Sequence, residues 1–223
     1  MTDFSGRTVV VAGTSGALGS GLATAFVDAG ARVVGIDRAA PDDRAAVDGV
    51  HYEVADLTDD AHVAAVLDAV ESPWAVVSVV GGYAPRSSIT DLDPEELDVQ
   101  LHLNLVTAAV VTKHALRVLK PIGEGRVVLT ASRAASDTKN NGFAYSVSKL
   151  GVLHLARMAS EEVAGTGITV NTVVPSIIDT PANRAAMPDS DHDRWPKITD
   201  LARAYVYLAS PDSRPVNGAA LPV

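Results

Sequence analysis

No cysteine occurs among the 223 residues. That excludes disulfides, thiolate metal sites and a cysteine nucleophile, and it fits a cytoplasmic setting. Aromatic residues are scarce, at 4%, so the core must be built from aliphatic side chains. No run of about 18 uninterrupted apolar residues is present, so no membrane span is expected. Basic charge is in deficit: 18 Lys and Arg stand against 27 Asp and Glu, a formal net charge of −9. A chain of that sign is a poor nucleic-acid binder, and the charge reads as a soluble surface. The opening Met1-Thr2-Asp3-Phe4-Ser5-Gly6-Arg7 lacks a basic-then-apolar pattern, so no secretory leader is expected. Internal repeats, low-complexity tracts and domain linkers are also missing.

What is present is alternation. Apolar, β-branched runs at 8–12, 32–36, 50–54, 75–80, 126–131 and 168–174 read as strands, with a short one near 219–223. Helical patterns fall between them at 18–29, 60–70, 94–119, 143–163 and 200–209. Strand–helix alternation predicts an α/β fold: a single doubly wound domain over 1–223, its parallel sheet covered by helices on both faces. The segment 41–48 reads as a polar connection. The stretch 180–196 is the longest irregular one, and 181–197 is read as a substrate loop, because long irregular segments in small domains often act as lids.

The first strand runs into Gly13-Thr14-Ser15-Gly16-Ala17-Leu18-Gly19 and then a helical pattern. Strand, glycine turn and helix together predict a pyrophosphate cradle: glycine permits close backbone approach, and the helix N-terminus offers free N–H groups. The second strand ends at Asp37, where a carboxylate accepts from ribose hydroxyls and repels a 2′-phosphate. Arg38 beside it would instead hold that phosphate. The pair favours NAD(H) and leaves NADP(H) open.

Tyr145 and Lys149 are spaced to share one helical face. An ammonium beside a phenol favours the phenolate, which predicts a tyrosine able to exchange protons. Ser132 lies at the carboxyl end of the strand 126–131. Gly81 and Gly82, Asp56, and Pro175, Ser176 and Thr180 follow other strands. Ligands in open sheets bind beyond those ends, so one crevice would collect them. Asn104 interrupts a helical pattern with a mediocre helix former. Its side chain, or a local kink, is read as holding a water that connects Lys149 to solvent. The six histidines show no metal-ligand spacing and are read as non-catalytic.

The set Gly13-x-x-x-Ala17-x-Gly19, Asn104, Ser132, Tyr145-x-x-x-Lys149 and Asn171-x-x-x-Pro175-x-x-x-Asp179-Thr180 resembles the short-chain dehydrogenase/reductases over nearly the whole chain. The resemblance implies a Rossmann-type sheet of about seven strands and a hydride transfer between nicotinamide and a small carbonyl or alcohol. It implies Tyr145 as general acid/base, Lys149 lowering its pKa, Ser132 steadying the substrate oxygen and Asn104 anchoring a relay water. Cofactor contacts are implied at Gly13, Ser15, Gly16, Ala17, Leu18 and Gly19, at Asp37, Arg38, Asp56 and Leu57, at Gly81 and Gly82, and at Tyr145, Lys149, Pro175, Ile178 and Thr180. A homodimer or homotetramer is implied through the long Ala/Val-rich helices. The stretches Val79-Val80-Gly81-Gly82-Tyr83 and Ile178-Asp179-Thr180-Pro181 also look like the dihydropteridine reductase branch, which makes quinonoid pterin reduction an alternative. A nucleotide-binding sensor or scaffold that keeps the fold without turnover is the alternative outside enzymes.

Overall fold

The computed structural model describes residues 3–42, 45–83, 88–137 and 142–223. Met1 and Thr2 of the opening segment, and Asp43 and Arg44 of the polar connection 41–48, lie outside the described residues. Seven strands are β1 (Thr8–Ala12), β2 (Arg32–Asp37), β3 (Val50–Val54), β4 (Pro73–Ser78), β5 (Glu124–Thr130), β6 (Gly167–Val174) and β7 (Ala220–Pro222). The helices are α1 (Ala17–Asp28), α2 (Asp60–Ala69), α3 (Pro94–Gln100), α4 (Thr107–Leu119), α5 (Phe143–Glu162), α6 (Pro181–Ala186) and α7 (Ile198–Ala209).

Every strand pairs in parallel, in the order β3-β2-β1-β4-β5-β6-β7. Parallel strands buried on both faces need continuous apolar runs, and β1, Thr-Val-Val-Val-Ala, is buried at all five positions. One face packs Val10, Val76, Val127 and Val170 against Leu67 of α2, Val111 and Ala115 of α4 and Val152 of α5. The other packs Val9, Val11, Val77 and Val128 against Leu22 and Phe26 of α1 and Leu201, Tyr205 and Leu208 of α7. The strand order reverses direction at β1, and the crevice between the carboxyl ends of β1 and β4 is the switch point where such sheets bind ligands.

Three sequence expectations need correction. The helix expected over 94–119 is two helices joined by a π-helical segment, Leu101–Val106, where Thr107 turns its hydroxyl back onto the Leu103 carbonyl at 2.7 Å. β4 stops at Ser78 rather than 80, because its neighbour β1 ends at Ala12 and the two residues are register partners. Val79 through Gly82 are thereby released to line the crevice. The stretch 180–196 is not wholly irregular. Thr180 accepts from the Asn183 N–H at 3.2 Å and Pro181 takes the first helical position, starting α6. A Thr-Pro pair of this kind is a helix-start signal.

Candidate active site

The glycine turn is closed by contact rather than by sequence habit. A Cβ on Gly19 would lie 2.0 Å from the Gly13 carbonyl oxygen, so only glycine lets α1 begin this close to β1. Gly13 has φ +101, a left-handed conformation that side chains disfavour. Gly16 caps α1 without a side-chain bond, and no acidic residue occupies the first turn. The helix therefore presents free N–H groups and its positive end to a cleft of about 1450 Å³.

That cleft is lined by Gly13, Gly16, Ala17, Leu18 and Gly19 on one side and by Ser132, Tyr145 and Lys149 on another. Gly81 and Gly82 line it too, as do Pro175, Ile178 and Thr180. Ser132 caps the turn after β5, accepting from the Ala134 N–H at 3.2 Å, and its hydroxyl lies near enough to the phenol of Tyr145 to draw it downward. Tyr83 packs edge-on against the Tyr145 ring, with centroids 5.1 Å apart.

Lys149 is buried, and its Nζ donates to the Thr130 carbonyl at 3.1 Å. Burial pulls the ammonium down to about 8. The expectation that Lys149 lowers the phenol's pKa is not met in the free chain. Nζ lies 6.0 Å from the Tyr145 ring centroid, and the phenol is pushed up, first by burial and further by Tyr83, against the downward pull of Ser132. Desolvation outweighs a cation whose donor is committed elsewhere.

Asn104, fully buried in the π-helical segment, does not line the cleft. Its Nδ2 donates to the Gly82 carbonyl and to Gln100 Oε1, and its Oδ1 accepts from the Gly82 N–H, each at 3.1 Å. Two of these bonds hold the main chain of Gly82, in the loop beneath Lys149, and the third reaches the Gln100 side chain at the start of the π-helical segment. A Cβ on Gly81 would lie 2.5 Å from Asn104 Oδ1 and 2.7 Å from Lys149 Nζ, so glycine there is what lets loop and lysine meet.

The residues expected to meet the adenosine end sit outside the cleft proper. The Asp37 carboxylate accepts from the Ser15 N–H at 2.9 Å and the Arg38 N–H at 2.8 Å. Arg38 is exposed. Asp56 is exposed and turns onto Thr58, whose hydroxyl and N–H hold its carboxyl below the usual range. Leu57 is a core residue, 3% exposed. Sequence reasoning missed Thr130 and Arg133. Both flank the Ala131-Ser132 step at the end of β5, and position alone was the available signal. Among the described residues no cluster of three or more metal-ligating side chains exists, and no helix is long and apolar enough to cross a membrane.

The chain's own groups fit a dinucleotide: an uncapped helix start and glycines without side chains where the anionic bridge would lie, a carboxylate at the end of β2, and a Ser–Tyr–Lys set at the far end. Comparisons with known proteins agree. A family model described as enoyl-(acyl carrier protein) reductase matches residues 12–223. The cis-4-hydroxycyclohexanecarboxylate dehydrogenase of Sinomonas cyclohexanicum is 31% identical, over 99% of this chain and 96% of that one. A short-chain dehydrogenase/reductase from Mycobacterium ulcerans superposes with a TM-score of 0.90 at 28% identity, covering 99% of this chain and 89% of the other. A protein from Beutenbergia cavernae assigned as an NAD(P)-dependent gluconate 5-dehydrogenase, solved with NADP bound, gives 0.88 at 28% identity, covering 99% and 96%. The chain belongs to the short-chain dehydrogenase/reductase family. It is an NAD(P)-dependent oxidoreductase that transfers hydride.

Proposed function

We propose that Tyr145 is the general acid/base of a dehydrogenase acting on a small carbonyl or alcohol. The observation that carries this is the convergence of Ser132, Tyr145 and Lys149 on one cleft with the glycine turn. Bound nicotinamide would accept or supply the hydride at the substrate carbon. Tyr145 holds the proton: its O–H donates to the carbonyl oxygen on reduction, and its phenolate takes the hydroxyl proton on oxidation. Ser132 steadies that oxygen and, from its place beside the phenol, favours ionisation. Lys149 sets a positive charge behind the phenol when protonated. Asn104 acts as a positioning residue, pinning Gly82 and so the loop against which Lys149 lies.

The residues suited to the cofactor are Gly13, Gly16, Ala17, Leu18 and Gly19 for the pyrophosphate, and Pro175, Ile178 and Thr180 for the nicotinamide end. Asp37, with Ser15, Arg38, Asp56 and Leu57 around it, suits the adenosine end. We favour NAD(H), because the Asp37 carboxylate would repel a 2′-phosphate. Asp37→Ala is expected to move the NADP-to-NAD preference upward by about tenfold, roughly the worth of one charge-assisted contact. An unchanged ratio overturns the assignment. The segment 181–197 serves as the substrate loop. A second copy would cover the apolar face of α5, where Val147, Leu150 and Met158 are exposed.

Tyr145→Phe tests the central reading. Turnover is expected to fall by at least 10²–10⁴-fold with cofactor binding unchanged; wild-type turnover would sink it. Pterin reduction remains separable by a direct assay with quinonoid dihydropterin, and a serine beside the phenol favours the carbonyl chemistry over it. Tight cofactor binding with no turnover across ketones, alcohols and pterins would point to a sensor.

A further inference from the structure

A smaller recess of about 320 Å³ opens beside the catalytic cleft, lined by Arg133, Ser176, Ile177, Asp191, Arg194 and Trp195. The first three residues also line the main cleft, so the two spaces adjoin across a shared wall. Arg133 follows Ser132 directly, and its backbone is fixed: the Arg133 N–H donates to the Pro175 carbonyl at 3.0 Å, and Ser132 caps its turn. Arg194 ends the turn His192–Arg194. That turn is held by the His192 ring, whose Nε2 lies 2.8 Å from the Met187 carbonyl oxygen and which packs on Trp195 with centroids 4.5 Å apart.

Among the described residues, neither guanidinium has a hydrogen-bond acceptor or a carboxylate partner. Nearby Arg184 shows the contrast: it forks onto Asp179 at 2.5 and 2.8 Å. Two unmatched guanidiniums beside the serine that steadies the reacting oxygen are an anion site in waiting, since their planar donors match a carboxylate fork. Asp191 lines the same recess and leaves it one net positive charge. That balance suits a monoanion better than a phosphate dianion.

We propose that this recess binds a carboxylate carried by the substrate, which makes the chain a dehydrogenase of hydroxy or oxo acids. The inference rests on the Tyr145 site proposed above. Substrate binding remote from the reacting carbon would orient that carbon.

Trp195 supplies a probe, because the other tryptophan, Trp74, is buried in the opposite end of the sheet. Tryptophan fluorescence of the full chain would be titrated with cyclohexanecarboxylate, cyclohexanecarboxamide and inorganic phosphate. The carboxylate is expected to bind at least about tenfold more tightly than the amide, a charge-assisted contact's worth. Arg133→Ala and Arg194→Ala should each remove most of that preference and leave amide binding unchanged, with Arg133→Lys restoring part of it. Equal binding of acid and amide, tighter binding of phosphate, or indifference to both arginine variants overturns the proposal. Tyr145→Phe should leave these affinities unchanged while abolishing turnover of a hydroxy acid. Preserved turnover in that variant sinks the dehydrogenase reading instead, so the two failures are told apart.

Discussion

A buried cation lies near each end of β5, and the two are treated differently. At the amino end lies Arg126, 2% exposed; against the carboxyl end lies Lys149, 4% exposed. Arg126 donates to the carbonyls of Ser210 (2.9 Å), Gly125 (2.8 Å), Gly167 (3.0 Å) and Pro211 (3.3 Å). Its guanidinium also stacks 4.9 Å from the Trp74 ring centroid, a ring that Arg7 approaches to 4.5 Å. Lys149 has the Thr130 carbonyl as its hydrogen-bond partner. A buried charge is tolerated only when matched. Arg126 is matched nearly to capacity and ties the loop after α7 to the sheet. Among the described residues Lys149 has one hydrogen-bond partner, on the wall of a cleft, the condition of a group that awaits a ligand.

Exchanging each cation for methionine breaks the comparison at both ends. Lys149→Met is expected to lower turnover by about 10²–10⁴-fold, the range of a lost acid–base partner, while leaving the free protein at least as stable, because a desolvated charge is removed. Arg126→Met should do the reverse. Four carbonyls lose their donor, at a cost of roughly 3–5 kcal/mol in chemical denaturation, and the KM of whatever folds should hold. Loss of stability at Lys149 without loss of turnover would erase the distinction.

The pH dependence sharpens it further. Lys149 has a folded pKa of about 8 against 10.5 when free. Below pH 8 the ammonium is charged in both states and its burial cost is present in full. Between 8 and 10.5 the unfolded chain binds more protons, so this group's contribution rises with pH, by roughly 3 kcal/mol in all. Tyr145 and Tyr205, both pushed up by burial, act oppositely above pH 10. The wild type should therefore be less stable than Lys149→Met at pH 7, with the gap closing toward pH 10. Arg126→Met should show no such convergence. A gap that stays constant from pH 7 to 10 would show that Lys149 is not titrating in this window.

Much of this was legible in the residues. β1 and β3 keep the bounds read from the residues, and Ser132, Tyr145 and Lys149 line one cleft. The π-helical segment was not legible, since Leu103 and Leu105 keep an apolar face whether the turn is tight or wide. Only Asn104 hinted at it. The partners of both cations were hidden for a related reason: carbonyls of Thr130, Ser210 and Gly167 belong to every residue alike, and no side-chain pattern marks the ones left free by a strand's end. The phenol's upward shift was hidden too, because spacing reports which face Lys149 shares with Tyr145 but not which acceptor its Nζ finds.

Thr130 sits on both sides of the comparison. Its carbonyl serves Lys149, while its hydroxyl donates to the Ser78 carbonyl at 2.7 Å and accepts from the buried Tyr205 hydroxyl at 2.7 Å. Tyr205→Phe removes that last bond without changing shape. The main chain of Thr130 is still registered against Val173, and the Ala131 N–H still donates to the Val173 carbonyl at 2.9 Å. The expected outcome is therefore a stability loss of about 1 kcal/mol and turnover within about threefold of wild type, since no charge is moved near the phenol. Should turnover instead fall tenfold or more, with its pH profile displaced, then α7 aims the lysine through Thr130 and the two regions are one machine.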